Sequence, residues 1–523
     1  LKNREVLSMW NKKYTEELKA RRQKAFDGGG RERAKKQHAA GKLTARERIE
    51  ILFDENSFVE IGTLVESRGD EFGMSEKKIP GDGVIIGYGM VNGRIVYASV
   101  EDFTVMGGTL GEYHSKKICQ IMDMAIKMRA PYISINDSGG ARIEEGICSL
   151  DGYSGMFYRN TQASGLIPQI SVILGPCAGG ACYSPAITDF TFMAEQSGKM
   201  FITGPQVVKV AIGENITADE LGGAGIHSTK SGVLHFTYPD DKSCLEGVKK
   251  LLSYLPQNCS EQPPFDPSFR GVENSYRLED IVPDNQRIVY DVKRVLDTFI
   301  DKDSFFEVHA SFAENLIVGF ARLDGSVIGI VANNPQIMGG SLDIDSSEKG
   351  ARFIRFCDCF NIPLLTLVDV PGFFPGSQQE HNGIIRRGAK LLYAYAEATV
   401  PKITLILRKA FGGAYIAMNS KGMGADVVFA WPIAQIAVMG AEGAVGILHK
   451  KRIGAADDKE TEEKRLVEEY TEHFMTPYIA ASKGFIDEVI LPEETRKKIS
   501  ESFFALKDKN EMSRRRKHGN IPL

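Results

Sequence analysis

"MGGTLGEYHSKK", Met106 to Lys117, and "MGGSLDIDSSEK", Met338 to Lys349, share a Met-Gly-Gly opening, a hydroxyl residue followed by Leu, and a Lys at the matching end. They stand 232 residues apart, and the offset recurs. "VNGRIVYASV" pairs with "LDGSVIGIVA" at 232 on the glycine, "APYISINDSGG" with "IPLLTLVDVPG" at 232 on the aspartate, and "GPCAGGACYS" with "RKAFGGAYIA" at 233 on the second glycine. Earlier in each copy "DENSFVEI" (54–61) matches "DKDSFFEV" (301–308) at 247, and later "MFITGP" matches "IAVMGA" at 236. Landmarks in one order at a nearly fixed offset make the chain a tandem duplication.

Each copy reads strand, glycine turn, helix, strand, loop, helix. Apolar runs such as "LLTLVDV" and "QISVILG" suit strands buried on both faces, which is the pattern of an α/β fold. Between the copies, "LPQNCSEQPPFDPSFRGVENS" (255–275) is rich in Pro, Asn and Ser and reads as a boundary. The expectation is one α/β domain over 1–260 and a second over 275–523.

A chain of 523 residues with 43% hydrophobic content buries a large core and divides into domains. No apolar run approaches the roughly 18 residues of a membrane span, and residues from Lys2 onward lack a secretory core, so a cytoplasmic location is expected. Eight cysteines (119, 148, 177, 182, 244, 259, 357, 359) include no Cys-x-x-Cys pair and read as small buried hydrophobes rather than zinc ligands or a disulfide framework. A net charge of −4 argues against nucleic acid as a partner. Residues 12–48 nevertheless hold thirteen Lys or Arg in a helix-like segment broken by Gly28-Gly29-Gly30. That run reads as a solvated face, with the alternative that part of it meets the phosphates of an anionic substrate; the basic stretch Arg514–His518 carries the same two readings.

In each copy an apolar strand ends at an aspartate followed by glycine, "INDSGGARIEEG" and "LVDVPGFFPGS". About forty residues later a second strand runs into "CAGGACYSP" or "AFGGAYIAM". Small residues at a strand end, followed by helix formers, expose backbone N–H groups that can hold an oxyanion. One Gly-Gly alone would only permit a tight turn, but four such sites at matched spacing point to two oxyanion holes. No Gly-x-Ser-x-Gly elbow, His-Glu-x-x-His metal motif or phosphate-binding Gly-x-x-x-x-Gly-Lys loop is present. Among nine histidines only His381 lies near a glycine-rich strand end, and it reads as loop-fixing. Glu144 and Glu145 follow the first glycine loop and read as solvated or paired carboxylates rather than bases. Two oxyanion sites suit a carboxyl transfer in which charge develops on a thioester oxygen and on a ureido oxygen, each needing its own donors.

The motifs "GKLTARERI" (41–49), "DFTVMGGTLGE" (102–112), "INDSGGARIEEG" (135–146), "GPCAGGACYSPA" (175–186), "DIDSSEKGARFIRF" (343–356), "VDVPGFFPG" (368–376), "NGIIRRGAKLLYAY" (382–395), "RKAFGGAYIAM" (408–418) and "KHGNIPL" resemble the carboxyltransferase subunit of biotin-dependent acyl-CoA carboxylases, over essentially the whole chain. Its closest kinds are the propionyl-CoA carboxylase β and methylmalonyl-CoA decarboxylase α types. The resemblance implies two tandem crotonase-like (ClpP/crotonase) domains, a homohexamer, and sites shared between the N-terminal domain of one subunit and the C-terminal domain of another.

It also implies that Gly179-Gly180 with Gly140-Ala141 hold an acyl-CoA thioester oxygen, and that Gly413-Ala414 with Gly372-Phe373 hold the biotin ureido oxygen. Tyr183 and Ile416 are implied as substrate-binding residues. Ile416 stands where propionyl-specific members often carry Asp, which leaves acyl-chain preference open. The chain has no Ala-Met-Lys-Met biotinylation stretch and no ATP loop, so biotin is expected on a partner carrier protein. Partners are then a biotin carboxyl carrier and a biotin carboxylase subunit, or membrane decarboxylase subunits, with no metal in this subunit. A one-domain crotonase-type hydratase or isomerase, with paired carboxylates, is the enzymatic alternative, and a non-enzymatic scaffold the other.

Overall fold

The computed structural model describes residues 12–269, 277–511 and 517–522. Arg514–Arg516, part of the basic C-terminal stretch, lies outside them. The chain divides into two compact units, Leu1–Cys259 and Ser260–Leu523.

The first unit carries eight strands: β1 (Val59–Ile61), β2 (Val84–Val91), β3 (Arg94–Glu101), β4 (Tyr132–Ser138), β5 (Gln169–Ala178), β6 (Phe190–Ala194), β7 (Lys199–Phe201) and β8 (Phe236–Tyr238). Their order is β1-β2-β3-β4-β5-β6-β8, with β7 added to β5. The first two pairings are antiparallel and the rest parallel. The second unit repeats this with β9 (Phe306–Val308), β10 (Leu316–Leu323), β11 (Ser326–Asn333), β12 (Leu364–Val370), β13 (Lys402–Phe411), β14 (Val427–Ala430), β15 (Gln435–Ala437) and β16 (Glu488–Val489). The order is again β9-β10-β11-β12-β13-β14-β16, with β15 on β13. Both are α/β units with mixed sheets, the class expected from the sequence.

Local chemistry explains the repeat. Every residue of β4 and of β12 is buried, as their apolar runs require. The hairpins β2–β3 and β10–β11 turn at Asn92-Gly93 and Asp324-Gly325, all four with positive φ, the residue types such turns favour. The Met-Gly-Gly landmarks are left-handed turns (φ 52°, 64° and 60°; 52°, 63° and 81°). A Cβ on Gly108 would lie 2.2 Å from the Asp137 carbonyl oxygen, and one on Gly340 2.5 Å from that of Asp369, so only glycine lets the turn close on the strand end. The matching lysines are buried. Lys117 Nζ donates to the Gly81 carbonyl at 2.8 Å, and Lys349 Nζ to those of His309 and Phe312 at 2.9 and 2.7 Å.

The basic N-terminal segment forms three helices, Lys12–Asp27, Arg31–Ala39 and Ala45–Leu52, the last with a capping box between Thr44 and Glu47. The passage between units is tied down on both sides. Asn258 donates to the Arg129 carbonyl and Cys259 N–H to that of Leu166, while Asp266 N–H donates to Gly325 and Arg322 to Pro264. The second unit thus begins at residue 260 rather than at about 275, because residues 264–266 already bond to the β10–β11 hairpin.

Candidate active site

In the first unit the penultimate residue of β4 is Asp137, which is fully buried and ion-paired with Lys42 at 2.6 Å and Arg48 at 2.9 Å, with Gln37 at 3.2 Å. Arg48, equally buried, also holds Asp241 and the Leu174 carbonyl. The loop after the strand is then fixed by backbone. Leu110 N–H donates to the Gly140 carbonyl at 2.9 Å and Arg142 N–H to the Leu110 carbonyl at 2.9 Å, a parallel bridge centred on Ala141. Both bonds come from the flanking residues, so the Ala141 N–H faces the other side of the loop. A Cβ on Gly140 would lie 3.0 Å from the Ala178 carbonyl oxygen, which sets this loop beside the end of β5. There Gly179 and Gly180 open a short 3₁₀ turn whose first N–H groups have no intrahelical acceptor.

The second unit repeats the arrangement bond for bond. Leu342 N–H donates to Gly372 at 3.1 Å and Phe374 N–H to Leu342 at 2.7 Å, a bridge centred on Phe373. Gly413 and Ala414 lie in the first turn of the helix Gly412–Ala417, again without intrahelical acceptors for their N–H groups. The Phe373 ring lies 4.0 Å from the Cβ position of Gly413 and 3.2 Å from that of Gly388. Within each unit the structure therefore brings the two glycine loops of that unit together.

Tyr183 and Ile416 occupy the same place in the two copies, three residues after Gly180 and Gly413, and are alike in exposure at 47% and 46%. Each unit also carries exposed apolar side chains, Ile143, Ile147 and Ile202 in the first and Ile385, Val438 and Ile447 in the second.

The strand-end aspartates differ in how they are neutralised. Asp369 accepts from Arg408 Nε at 2.9 Å, from the Tyr290 hydroxyl at 3.0 Å and from the Lys409 N–H at 3.1 Å. Arg408 is on β13 itself; the matching position on β5 is Gly175, where a Cβ would fall 1.9 Å from Asp137 Oδ1 and 2.8 Å from Lys42 Nζ. Glycine there makes room for cations delivered from the N-terminal segment, Lys42 from the loop before the helix Ala45–Leu52 and Arg48 from that helix.

Glu145 is no free base. Burial alone would raise its pKa, but bonds from the Glu112 N–H (2.6 Å), Arg142 (2.7 Å) and Ser67 (2.9 Å) outweigh that and hold it below the usual carboxylate range. Glu144 is exposed, as is His381 at the end of the helix Ser377–His381. Sequence reasoning assigned no role to Asp137, Asp369, Arg48, Arg408, Glu101 or His114. The aspartates carried a signal: a charged residue closing an apolar strand at the same offset in both copies. Among the described residues no group of three or more His, Cys, Asp or Glu is placed to hold a metal ion, and no helix is long and apolar enough to cross a membrane.

Residues 36–521 match the model of the carboxyl transferase domain family. The chain is 55% identical to the propionyl-CoA carboxylase carboxyltransferase subunit of Haloferax mediterranei, over 97% of this chain and 99% of that one. It is 52% identical to methylmalonyl-CoA decarboxylase subunit alpha of Propionigenium modestum, over 98% and 99%. Its fold superposes on the crystal structure of transcarboxylase 12S, described as a hexamer assembly with methylmalonyl-coenzyme A and methylmalonic acid bound, with a TM-score of 0.94 at 50% identity, covering 97% and 98% of the two chains. Matched along nearly its full length by a family model, by sequence relatives and by a solved structure, the chain belongs to the carboxyl transferase domain family.

Proposed function

We propose that the chain is the carboxyltransferase subunit of a biotin-dependent acyl-CoA carboxylase, moving a carboxyl group between carboxybiotin and the α-carbon of a short-chain acyl-CoA, propionyl-CoA and methylmalonyl-CoA foremost. The observation that carries it is the duplicated backbone scheme: a bridge-centred N–H on Ala141 and on Phe373, each beside a second glycine turn whose first N–H groups have no intrahelical acceptor. Carboxybiotin, borne by a separate carrier protein, supplies the CO2 unit and a ureido nitrogen that takes up the α-proton. The N–H groups of Ala141 and Gly180 stabilise the negative charge that gathers on the thioester oxygen. Those of Phe373 and Gly413-Ala414 stabilise the charge on the ureido oxygen. Each such donor is worth about 2.7–4 kcal/mol in the transition state, and backbone donors add no competing acid or base.

The propionyl-CoA carboxylase and methylmalonyl-CoA decarboxylase relatives run this transfer in opposite directions, and the subunit's chemistry is the same in both. We assign it a cytoplasmic homohexamer, with the exposed apolar residues of both units packed against other subunits, and with a biotin carrier and either a biotin carboxylase or membrane decarboxylase subunits as partners. Reconstitution with a carboxylated biotin carrier and propionyl-CoA tests the reading: methylmalonyl-CoA should form and avidin should abolish it. Turnover of an acyl-CoA that survives avidin sinks the reading in favour of a hydratase or isomerase. Ile416, half exposed beside the Gly413 turn, should set acyl preference; Ile416→Asp is expected to shift the propionyl-to-acetyl ratio of kcat/KM by roughly tenfold, the scale of one or two methylenes in a pocket.

A further inference from the structure

Glu101 closes β3 and Asn333 closes β11, 232 residues apart and in the same register against the preceding strand. Both are buried, at 5% and 1% exposure. Each accepts the N–H of the strand-end aspartate: Glu101 Oε2 from Asp137 at 2.9 Å, Asn333 Oδ1 from Asp369 at 3.3 Å. The second copy does this with a neutral amide, whose Nδ2 donates to the Gly340 carbonyl at 3.2 Å. In the first copy the equivalent Gly108 carbonyl takes the Ser138 hydroxyl at 2.6 Å, so the other Glu101 oxygen is left to face elsewhere.

It faces His114. That ring is wholly buried, and its Nδ1 lies 2.9 Å from the Asp82 carbonyl. A carbonyl can only accept, so Nδ1 carries a proton. Nε2 then offers a lone pair 3.7 Å from Glu101 Oε1 and has no hydrogen-bond partner. The Tyr153 hydroxyl is also buried and unpartnered, and its ring lies 2.9 Å from the Cβ position of Gly180. A glutamate, a histidine and a tyrosine thus sit behind the first unit's glycine loops, where the second unit uses Asn333 and, at the position of His114, Ser346.

We propose that Glu101 is a positioning residue of the acyl-CoA-side oxyanion hole that works as a neutral carboxylic acid, its Oε2 accepting the Asp137 N–H and its Oε1 carrying a proton toward His114 Nε2. This rests on the functional reading above. An ionised Glu101 would leave His114 Nε2 without a donor. It would also set a second negative charge beside Asp137, behind the loop where charge must build on the thioester oxygen. The groups that face it are Asp137 and Tyr132 on β4, Arg48 on the helix Ala45–Leu52, His114 on the helix Glu112–Met128, Tyr153 on the helix Ile147–Ala163 and Cys177 on β5. Burial pushes Glu101 up to about 8, and burial pulls His114 down to about 3, both in the direction of a neutral pair.

The test is the pH profile of carboxyl transfer by the reconstituted complex, for the wild type, Glu101→Gln and Glu101→Ala, together with the infrared carboxyl band of the full chain. The wild type should lose kcat as pH rises through about 8. Glu101→Gln should keep kcat at neutral pH within about threefold and lose that alkaline limb, while Glu101→Ala falls by about tenfold or more at every pH. A limb unchanged in Glu101→Gln overturns the proposal, as does a glutamine variant as slow as the alanine variant at neutral pH. A band of a protonated buried carboxyl, absent from Glu101→Gln or lost as the wild type is titrated through about pH 8, supports it without turnover; a wild type with no such band at neutral pH overturns it. Absence of carboxyl transfer by the wild type with every biotin carrier sinks the functional reading instead, and the infrared measurement still decides how Glu101 is protonated.

Discussion

Asp369 neutralises Arg408, a cation that reaches no solvent and otherwise meets the backbone carbonyls of Pro283, Asn285 and Ile288 and the face of the Tyr290 ring. Asp369→Ala should therefore cost about 3–5 kcal/mol of unfolding free energy, the range for stripping one partner from a buried pair, read by denaturant titration. Proton linkage gives a second expectation. Burial raises the folded pKa of Glu101 from 4.5 to about 8, so its favourable contribution is whole below about 4.5 and is lost as pH rises through about 8. Burial lowers that of His114 from 6.5 to about 3, so its contribution is whole above about 6.5 and is lost as pH falls through about 3. Unfolding free energy measured between those limits should fall on the alkaline side in the wild type and stay flatter in Glu101→Gln. Arg408, Glu101 and His114 did not announce themselves in the sequence, and the aspartates did so only as charged residues at the end of an apolar strand. Asp137 draws its cations from 89 and 95 residues away, and a buried glutamate at a strand end looks like any other until its solvent has been removed.

At the scale of elements, the repeat was legible because the turns demand particular residues. Met-Gly-Gly, Asn-Gly and Asp-Gly stand where φ is positive, and at Gly108, Gly325 and Gly340 any side chain is excluded by contacts of 2.2 to 2.5 Å. The lysines at the ends of the two landmarks were visible as a match but not as a mechanism. Each reaches back from its helix to cap carbonyls of the loop that precedes β2 or β10, and Lys349 Nζ donates to three of them, those of His309, Phe312 and Ala313. Lys349→Met should lower stability by about 2–4 kcal/mol through those unmade bonds, and hydrogen exchange should show loosening around residues 309–316 before the rest of that unit. The domain edge was misjudged by composition for a related reason. Pro and Asn at 255–275 signal a lack of helix or strand, yet Asn258, Cys259 and Asp266 still bond to folded neighbours on either side.

For the whole molecule, two sheets of identical strand order carry one loop scheme twice, which is the basis on which we propose that one chain addresses two different carbonyl oxygens. The exposed apolar residues belong to the assembly we propose rather than to either core. Val210, 87% exposed, and Ile447, 69% exposed, lie on the corresponding helices Pro205–Ile212 and Ala441–Leu448. Replacing either by Glu should break the hexamer into smaller species in sedimentation velocity and take activity with it, while each unit keeps its circular dichroism. A variant that stays hexameric would remove that helix from the proposed interface.

The gap that Gly175 leaves beside Asp137 fixes how far the amino end can be trimmed. The second unit grows its own countercharge on the sheet, whereas the first borrows Gln37, Lys42 and Arg48 from upstream. Truncation before Lys12 spares that loan. A deletion past residue 48 would strand a carboxylate in the interior and cripple one half of the protein while leaving the other half's charge balance intact.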